Sequence, residues 1–532
     1  MSSNDREFDI VVIGGGVNGA GIARDAAMRG LSVLLLESND FGSGTTSWSS
    51  RLIHGGLRYL EHGELSLVYE SLHERRRLRQ IAPHLVDPIA IIIPVYRNSK
   101  RGMWILRIGM VAYDLLSFGK RLPRHCMLDR EEFLRDSPGV NPQHLLGGAR
   151  YYDAQIAFAE RLVIENIVAA GKAGADLRNY SPVTGITIRR KRVESVQFAD
   201  RATGNVASAR ARVVVNAAGP WVDRVLATAD VPMPRLMGGT KGSHIVVGPF
   251  DGAPGDAFYV EAAADGRPIF IIPWNGQFLI GTTDIRYDDD PAAATASRAE
   301  IDYLLDEINR VFPRAKLTTA DIHFSYAGVR PLPRRSKGPE SAITRRHIIK
   351  LHNRNAKGLL SVIGGKLTTY RHLAEQVTDH AVRLLGVKTP ACRTSTEPLP
   401  GAPRREDIGD RLAAFTPLSD EGRHRLTRIY GGRALQIVEL AAQKPSLAVL
   451  LDDKRTLPAA EIVFNIRHEY ARNLVDILHR RTMLGLSPDL GRPHAAAVAR
   501  VAAVELDWDE QEIARQLGAL DDYHARLSIP PL

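Results

Sequence analysis

The sequence predicts an α/β protein built from a Rossmann-like domain, a domain with an antiparallel sheet and a C-terminal helical domain. Three observations predict this class. Near the N-terminus a short apolar run leads into a glycine-rich turn and a helical pattern. In the middle of the chain, short strand patterns alternate with hairpin signals. After residue 405 the apolar spacing is helical.

The first predicted strand, residues 10–13, is continuously apolar, as expected of a strand buried on both faces of a parallel sheet. It leads into a G-x-G-x-x-G turn formed by Gly14, Gly16 and Gly19. In this pattern the first glycine permits the turn, the second lets the backbone approach a pyrophosphate, and the third allows close helix packing. The helix predicted at residues 20–28 would direct its N–H groups at the phosphates.

A second buried strand is predicted at residues 33–36, and Glu37 ends it. A carboxylate here can accept hydrogen bonds from both ribose hydroxyls of a dinucleotide and disfavours a 2′-phosphate. Because strand, glycines, helix, second strand and acid occur in this order, the segment predicts a dinucleotide site. The pattern by itself allows NAD or FAD.

Three later segments can also reach a bound cofactor. The loop at residues 41–50 is rich in hydroxyl groups and glycine, although the same composition suits an ordinary loop. A buried strand ends in small residues at 217–219, and a second glycine turn at 364–365 opens a helix. The candidate cofactor ligands in these segments are Thr45, Thr46, Ser47, Ser50, Ala218, Gly219, Gly365, Lys366, Leu367 and Thr368.

Segments of the chain are predicted to alternate between two domains, and a linker and a helical domain follow them. Pro, Thr and Gly residues mark the linker, and helical spacing marks the residues after it. The Rossmann-like domain takes residues 1–80, 145–235 and 325–388; the substrate domain takes 81–144 and 236–324; the linker is 389–405, and the helical domain is 406–532.

Local patterns predict further elements. Asn275-Gly276 and the basic run at residues 189–192 indicate two hairpin turns. Apolar spacing predicts helices over residues 64–81, 156–173 and 302–312. An apolar stripe between residues 461 and 483 predicts an amphipathic helix, with Asp476 and Arg480 outside the stripe.

Residues 103–118 form the longest apolar stretch outside the glycine-rich segment. They include Arg107 and Asp114 and are too few to span a bilayer. We expect a core helix here. The alternative is a helix in a membrane interface, helped by Trp104 and Tyr113.

Composition limits the classes of protein further. With 532 residues, 44% of them hydrophobic and 24% charged, the chain is typical of a globular protein of two or three domains. Cys126 and Cys392 are the two cysteines, and their separation excludes a disulfide framework, a thiol zinc site and a dithiol centre. This suits a reducing cytoplasm. No metal site is predicted, and the short polar start predicts no signal peptide.

The net charge of +10 indicates an anionic partner: nucleic acid, an acidic membrane surface or a phosphorylated substrate. The basic residues are dispersed, and no basic stripe interleaved with aromatic residues occurs. We therefore predict no nucleic-acid partner.

Together these motifs resemble the FAD-dependent glycerol-3-phosphate dehydrogenases of the D-amino-acid oxidase superfamily. The resemblance covers almost the whole chain. The N-terminal glycine motif marks only the superfamily, whereas three other segments are far more specific. They are IHGGLRYLE at 53–61, AGVRPL at 327–332 and GGKLTTYR at 364–371, and EYARNLVDILHRRT at 469–482 also matches.

The resemblance implies non-covalent FAD, oxidation of sn-glycerol 3-phosphate to dihydroxyacetone phosphate, and delivery of electrons to a membrane quinone. It also motivates the hypothesis that the enzyme lies on the inner face of the cytoplasmic membrane. The positive charge then suits an anionic membrane surface. A homodimer is the assembly to test.

A phosphate monoester requires several cations, preferably including a guanidinium group. The first candidate is Arg330, supported by Arg345 and Lys366. Arg330 could instead form a structural salt bridge, and Arg345 a surface contact. Lys366 can contact the flavin, the substrate phosphate or the developing alkoxide, and the sequence does not decide among these three roles.

His54 is the candidate general base because imidazole titrates near neutral pH and a Gly-Gly pair follows it. The alternative is a histidine hydrogen-bonded beneath the flavin. Tyr59 and Thr283 are further candidates for substrate binding. Tyr59 fits an aromatic residue of the core equally well, and Thr283 fits a residue of a turn equally well.

Rival functions remain open from the sequence alone. An oxidase would pass electrons from the same substrate to oxygen, and an amino-acid oxidase would use its arginine for a carboxylate without needing Lys366. An FAD-containing RNA-binding protein would use the positive charge. A non-catalytic membrane module would leave the pocket motifs without a purpose.

Overall fold

The computed structural model describes residues 6–61, 63–117, 119, 122–334, 346–402 and 406–530. Its strands, in chain order, are β1 (Glu7–Ile13), β2 (Val33–Leu36), β3 (Leu52–Ile53), β4 (Val86–Tyr96), β5 (Cys126–Asp129), β6 (Leu145–Ile156), β7 (Asp176–Arg178), β8 (Val183–Arg189), β9 (Arg192–Ala199), β10 (Val206–Asn216), β11 (Thr240–Val247), β12 (Ala257–Glu261), β13 (Pro268–Trp274), β14 (Gln277–Gly281), β15 (Ile285–Arg286), β16 (Ile322–Arg330), β17 (Ile348–Leu351) and β18 (Leu359–Ile363).

Helices connect the strands and form the C-terminal region. They are α1 (Val17–Met28), α2 (Arg58–Glu61), α3 (Leu65–Ile81), α4 (Met103–Leu116), α5 (Arg130–Asp136), α6 (Ala159–Lys172), α7 (Val222–Leu226), α8 (Arg298–Val311), α9 (Tyr370–Leu385), α10 (Glu406–Ala413), α11 (Asp420–Tyr430), α12 (Ala434–Gln443), α13 (Ala459–Glu469), α14 (Ala495–Leu506) and α15 (Glu510–Ala525). Several short 3₁₀ segments complete the described part.

The first sheet has the order β17-β18-β10-β1-β2-β7, and β9 and β8 extend it from β10. Strand β1 pairs in parallel with β2 and β10, so that Ile13 lies opposite Leu36 and Asn216. Helices α1, α6 and α9 pack together on one face, and β8, β9 and α7 cover the other, which explains why β1 and β2 are apolar throughout their centres. The carboxyl ends of these parallel strands meet at one edge of the sheet.

The second sheet is largely antiparallel, with the order β15-β11-β14-β13-β12-β4-β6-β3. Strand β16 pairs with β11 and β5 pairs with β6, whereas β12 and β4 form a parallel pair. Helix α8 begins with a capping box between Ser297 and Glu300 and packs against this sheet. The two sheets and the C-terminal helices confirm the predicted fold class.

Both predicted hairpin turns are confirmed. Arg190 and Lys191, between β8 and β9, have positive φ angles of 49° and 60°. Asn275 and Gly276, between β13 and β14, have φ angles of 52° and 72°. Two consecutive left-handed residues match the right-handed twist of the flanking strands.

Three strands lie outside the sheet expected for their segments. β3, β6 and β16 pair within the second sheet, although the segments 1–80, 145–235 and 325–388 are predicted to belong to the Rossmann-like domain. Consequently, the helix predicted from residue 156 begins at Ala159, because Ile156 still pairs with Val86 at the end of β6. The division into domain segments remains a proposal. Residues 389–402 of the predicted linker contain neither helix nor strand.

The apolar stripe at residues 461–483 does not form one helix. Helix α13 ends at Glu469, and Tyr470 follows with a left-handed φ of 62°. The chain then forms a wide π-helical turn at residues 476–481. Asp476 and Arg480, expected outside the apolar stripe, are buried in ion pairs.

The core-helix prediction for residues 103–118 is wrong for one face of α4. The face for which the prediction holds buries Leu106, Met110 and Tyr113. The other exposes apolar side chains over the length of the helix: Trp104, Ile105, Ile108, Val111 and Leu115. Across the described ranges, no helix combines the length and apolar character needed to cross a membrane.

Candidate functional site

A cavity of about 1800 Å³ begins at the carboxyl edge of the first sheet. It extends beneath the second sheet and reaches the C-terminal helical region. The turn after β1, the loop at 41–50, the end of β10 and the turn after β18 all line it, as do residues of β11, β13 and β16. Ligands of parallel α/β sheets bind at such an edge.

The glycine turn after β1 is closely packed. Gly14 has a φ of 106°, and a Cβ there would lie 2.7 Å from the Ala217 carbonyl oxygen. A Cβ on Gly19 would lie 1.8 Å from the Gly14 carbonyl oxygen, so Gly19 serves helix packing and does not line the cavity. Gly16 lines the cavity and has only Thr46 Oγ1 near its Cβ position, at 3.5 Å.

The start of α1 is well suited to a phosphate-bearing cofactor. Its N-cap, Gly16, has no side chain to cap the helix; the Val17 N–H donates to Thr46 Oγ1 at 3.2 Å, and the N–H groups that follow can meet a ligand. Asn18 also lines the cavity, and its buried Oδ1 has no hydrogen-bond partner among the described residues. An orphaned buried oxygen beside an uncapped helix fits a bound dinucleotide with hydroxyl or amide donors.

Glu37 lies at the end of β2 and lines the same cavity. Its Oε2 accepts a hydrogen bond from the Gly15 N–H at 2.6 Å, and Oε1 accepts one from the Asn39 N–H at 2.8 Å. Burial raises the pKa of Glu37, whereas these N–H groups oppose the rise. The carboxylate is therefore fixed beside the glycine turn and keeps lone pairs for ribose hydroxyls.

Most of the other predicted cofactor ligands line the cavity. Ser47 does not, because its buried hydroxyl donates to the Gly42 carbonyl at 2.7 Å. Thr45 lines the cavity but donates its hydroxyl to the Val329 carbonyl at 2.8 Å. The lining members of the predicted set are Thr45, Thr46, Ser50, Ala218, Gly219, Gly365, Lys366, Leu367 and Thr368.

His54 is joined to the second glycine turn through its backbone. Its N–H donates to Thr368 Oγ1 at 3.1 Å, and its ring centroid lies 6.2 Å from that of Phe270. Burial lowers the pKa of His54 to about 4; Asp153 opposes this shift, and Lys366 adds to it. The imidazole is consequently neutral at neutral pH and can accept a proton.

A buried charge cluster supports the chain after His54. Asp153 accepts hydrogen bonds from the Gly55 N–H at 3.2 Å and from the Tyr113 hydroxyl at 2.7 Å. Arg75 forms an ion pair with the same carboxylate. These contacts hold the Gly-Gly segment against the core without using the imidazole.

Lys366 and Tyr59 form one contact at the cavity wall. The Lys366 Nζ lies 3.7 Å from the centre of the Tyr59 ring and donates to Ser71 Oγ at 3.4 Å. The ring covers Gly56, where a Cβ would come within 2.3 Å of it. Because both side chains line the cavity, a cation and a phenol are available there together.

Arg330 is the last residue of β16, and its position fits both roles that the sequence allowed, a phosphate ligand and a structural salt bridge. It lines the cavity, yet its Nη1 forms a salt bridge with Asp284 at 2.9 Å. Its Nη2 donates to Thr282 Oγ1 at 3.1 Å and to the Thr283 carbonyl at 3.0 Å. The guanidinium is therefore rigidly held before any substrate binds.

Thr283 also lines the cavity, but its hydroxyl is already used by the protein. Oγ1 donates to Glu300 at 2.7 Å and accepts from the Ser243 N–H at 2.8 Å. This argues against a substrate hydrogen bond from its side chain. Arg345 lies outside the described residues.

His244 is a cavity residue that the sequence reasoning missed. Its Nε2 lies 2.8 Å from Ser50 Oγ, and its ring stacks on Tyr326 with 4.9 Å between centroids. Burial, assisted by Arg330 and Arg51, lowers the pKa of His244 to about 3. The period-two pattern of β11 could have revealed it, because Gly242 and His244 line the cavity from the same strand face.

Two family models match the chain. The model described as FAD dependent oxidoreductase matches residues 9–371. The model described as the C-terminal domain of alpha-glycerophosphate oxidase matches residues 392–513. With the glycine turn and the cavity at the sheet edge, the first match defines an FAD-dependent oxidoreductase, and FAD is the cofactor.

Similar proteins narrow this class. A glycerol-3-phosphate dehydrogenase of Synechocystis sp. is 43% identical over 98% of this chain and 97% of its own length. Glycerol-3-phosphate dehydrogenase 2 of Mycobacterium tuberculosis is 36% identical over 98% of this chain and 88% of its own. The solved glycerol-3-phosphate dehydrogenase of Bacillus halodurans, complexed with FAD, is 29% identical, with a TM-score of 0.81 over 100% of this chain and 97% of that one. The chain belongs to the family of FAD-dependent glycerol-3-phosphate dehydrogenases.

Proposed function

We propose that this protein oxidises sn-glycerol 3-phosphate to dihydroxyacetone phosphate. The observation that carries the proposal is the meeting of Lys366 and Arg330 with the glycine turn in one cavity. Two cations beside the cofactor site would attract a small alcohol that carries a doubly charged phosphate group. The names of the similar proteins support the same substrate.

The reaction removes a hydride from carbon 2 and a proton from the hydroxyl group. Bound FAD supplies the hydride acceptor, its N5 atom. His54 accepts the proton at an unprotonated ring nitrogen, which its lowered pKa keeps available. Lys366 stabilises the negative charge that develops on this oxygen, because its ammonium lies close enough to His54, the proton acceptor, to lower the pKa of that histidine.

Arg330 holds the phosphate group. Its fork is oriented by Asp284, Thr282 and the Thr283 carbonyl, so little side-chain freedom is lost when substrate binds. The cation at Lys366 adds to the attraction, and capture of the dianion should weaken as salt concentration rises. Arg345 is retained as a further phosphate contact in this proposal.

The electrons pass to a membrane quinone, and α4 is the segment that meets an anionic membrane. Support comes from the exposed apolar face of α4, whose exposed Arg107 suits the headgroup layer. Lys100 and Arg101, immediately before α4, line the cavity rim. A helix in the interface would therefore bring the cavity opening close to the acceptor in the bilayer.

An oxidase that uses oxygen is the second candidate. The match of residues 392–513 to a domain named for alpha-glycerophosphate oxidase favours it. The two functions differ in product, because an oxidase forms one hydrogen peroxide for each substrate oxidised. Measurement of peroxide in the absence of quinone separates them.

The decisive test is the absorbance spectrum of the purified protein before and after anaerobic addition of glycerol 3-phosphate. Bleaching of the flavin bands is expected. A yellow protein that this ester does not bleach would refute the proposed substrate and leave the fold intact. Later addition of a soluble quinone analogue should restore the bands, whereas oxygen alone should restore them slowly.

A further inference from the structure

The motif at residues 469–482 is not explained by the proposed reaction. It belongs to the C-terminal helical region, yet it contacts the first sheet beside the turn that carries Glu37. The carboxylate of Asp40, three positions after Glu37, is fully buried there. Its charge partners come from the other end of the chain.

Two arginines of this motif hold Asp40. Arg480 Nε donates to Asp40 Oδ2 at 2.6 Å. Arg481 forms a two-pronged pair, with Nη1 to Oδ2 and Nη2 to Oδ1 both at 2.8 Å. Burial by itself would raise the pKa of Asp40, but Arg481 and Arg480 lower it to about 2. The carboxylate is therefore charged at every physiological pH, and the pair persists.

A second group of contacts fixes the neighbouring loop. The Tyr180 hydroxyl donates to Asp476 Oδ1 at 2.6 Å and accepts from Asn473 Nδ2 at 2.5 Å. The Tyr180 N–H donates to the Asn39 carbonyl at 2.9 Å. The C-terminal motif thus clamps the Asn39–Asp40 turn from two sides.

The same motif contributes directly to the cavity wall. Arg472, Asn473, Val475 and Arg480 line the cavity together with Ser38, Asn39, Asp40, Tyr180 and Arg201. Glu37, the predicted ribose ligand, lies among these residues. This wall is therefore at the nucleotide end of the cavity, away from Lys366 and Tyr59.

We infer that the C-terminal helical domain completes the nucleotide end of the FAD site, with Arg480 and Arg481 acting as positioning residues for the Glu37–Asp40 turn. Without these pairs, Asp40 would be a buried charge without compensation, and the turn would rearrange. The nucleotide part of FAD would then lose a preformed wall. This role depends on FAD but not on the identity of the substrate.

The test compares FAD affinity among variants of the full-length protein. Arg481→Met removes the two-pronged pair, and Arg481→Lys restores the charge without the fork. Asn473→Ala removes the hydrogen bond to the Tyr180 hydroxyl and the one that Asn473 Oδ1 accepts from the Asp476 N–H. The matched control is Arg467→Ala, whose guanidinium pairs with Glu505 on the surface of the same region at 2.7 Å.

FAD binding is measured by the recovery of flavin fluorescence on dilution, with the melting temperature recorded separately. We expect the dissociation constant for FAD to rise about tenfold or more in Arg481→Met, because the Glu37–Asp40 turn rearranges when the two-pronged pair with Asp40 is lost. Arg481→Lys should recover part of this affinity, Asn473→Ala should weaken binding about threefold, and Arg467→Ala should change nothing.

A purely structural role predicts a different result. Arg481→Met and Asn473→Ala would then lower the melting temperature and leave FAD affinity at the wild-type value. That outcome would overturn the inference. If Arg481→Met fails to fold, Asn473→Ala and Arg481→Lys decide the question, and unchanged FAD release in both would overturn it equally.

Discussion

Arg330 offers the sharpest test of the proposed chemistry, because its structural and substrate roles can be separated. The guanidinium lies at the end of β16, with Asp284, Thr282 and the Thr283 carbonyl as partners. Arg330→Ala removes the cation and leaves Asp284 without this partner. Asp284→Asn removes the salt bridge but leaves the guanidinium in the cavity.

The expected magnitude depends on the burial of this group. Removal of a charge-assisted hydrogen bond from a desolvated site costs about 2–4 kcal/mol, or about 30- to 900-fold in kcat/KM. The side chain of Arg330 is 22% exposed, so solvent screens part of the interaction. We therefore expect the lower half of that range for Arg330→Ala.

The assay is steady-state oxidation of glycerol 3-phosphate with a soluble dye as acceptor, which removes any dependence on quinone. Arg330→Ala should lower kcat/KM and weaken competitive inhibition by inorganic phosphate in parallel. Asp284→Asn should retain most of both. The reasoning is refuted if Asp284→Asn reproduces the full loss, or if Arg330→Ala leaves phosphate inhibition unchanged.

The glycine turn, the cavity residue His54 and the exposed face of α4 each give one further prediction. Gly19→Ala should abolish FAD retention, since its Cβ would lie 1.8 Å from the Gly14 carbonyl oxygen; a normal flavin content after purification would contradict this. Because burial lowers the pKa of His54 to about 4, kcat/KM calculated for the substrate dianion, whose phosphate has a second pKa of about 6, should stay level as the pH falls to about 5 and decline only below that, and an inflection at the ordinary histidine value of about 6.5 would count against it. Leu115→Glu should reduce binding to phosphatidylglycerol vesicles in a sedimentation assay, whereas Val504→Glu, at a similarly exposed apolar helix position, should not; equal effects would exclude α4 as the membrane contact.

The Rossmann-like half was predictable because its signals are local. The predicted bounds of β2 agree with the structure, since a strand buried on both faces reads as a short apolar run. The glycine turn was predictable for a similar reason. The clash of a Cβ at Gly14 or Gly19 depends on the immediate strand–turn–helix geometry, which the motif itself encodes.

The role of a glycine could not be predicted from the sequence where that role depends on distant strands. Gly147 and Gly148 lie within β6. A Cβ on Gly148 would lie 2.2 Å from the Ile93 carbonyl oxygen of β4, and one on Gly147 would lie 2.3 Å from the Leu128 carbonyl oxygen of β5. These glycines allow three strands to approach closely. A local pattern cannot distinguish this use from a loop.

Apolar periodicity identified the helix around α4 but could not say which face meets protein. Leu106 and Ile108 have similar hydrophobicity, although one is buried and the other exposed. The difference is set by the elements that pack against α4, including α3 and β6. A contiguous apolar face is unfavourable in water, which is why it suggests contact with a membrane.

The environments of charged side chains are the part of the structure that the sequence alone predicts least well. A charge outside an apolar stripe normally faces solvent, yet Arg480 is buried because Asp40 lies opposite it after folding. Likewise, the motif located Arg330, but its partner Asp284 follows a different strand. Burial of a charge is decided by pairs that are remote in sequence. The cations of this site therefore acquire their roles only once their partners are known, and paired variants such as Arg330→Ala with Asp284→Asn can separate those roles.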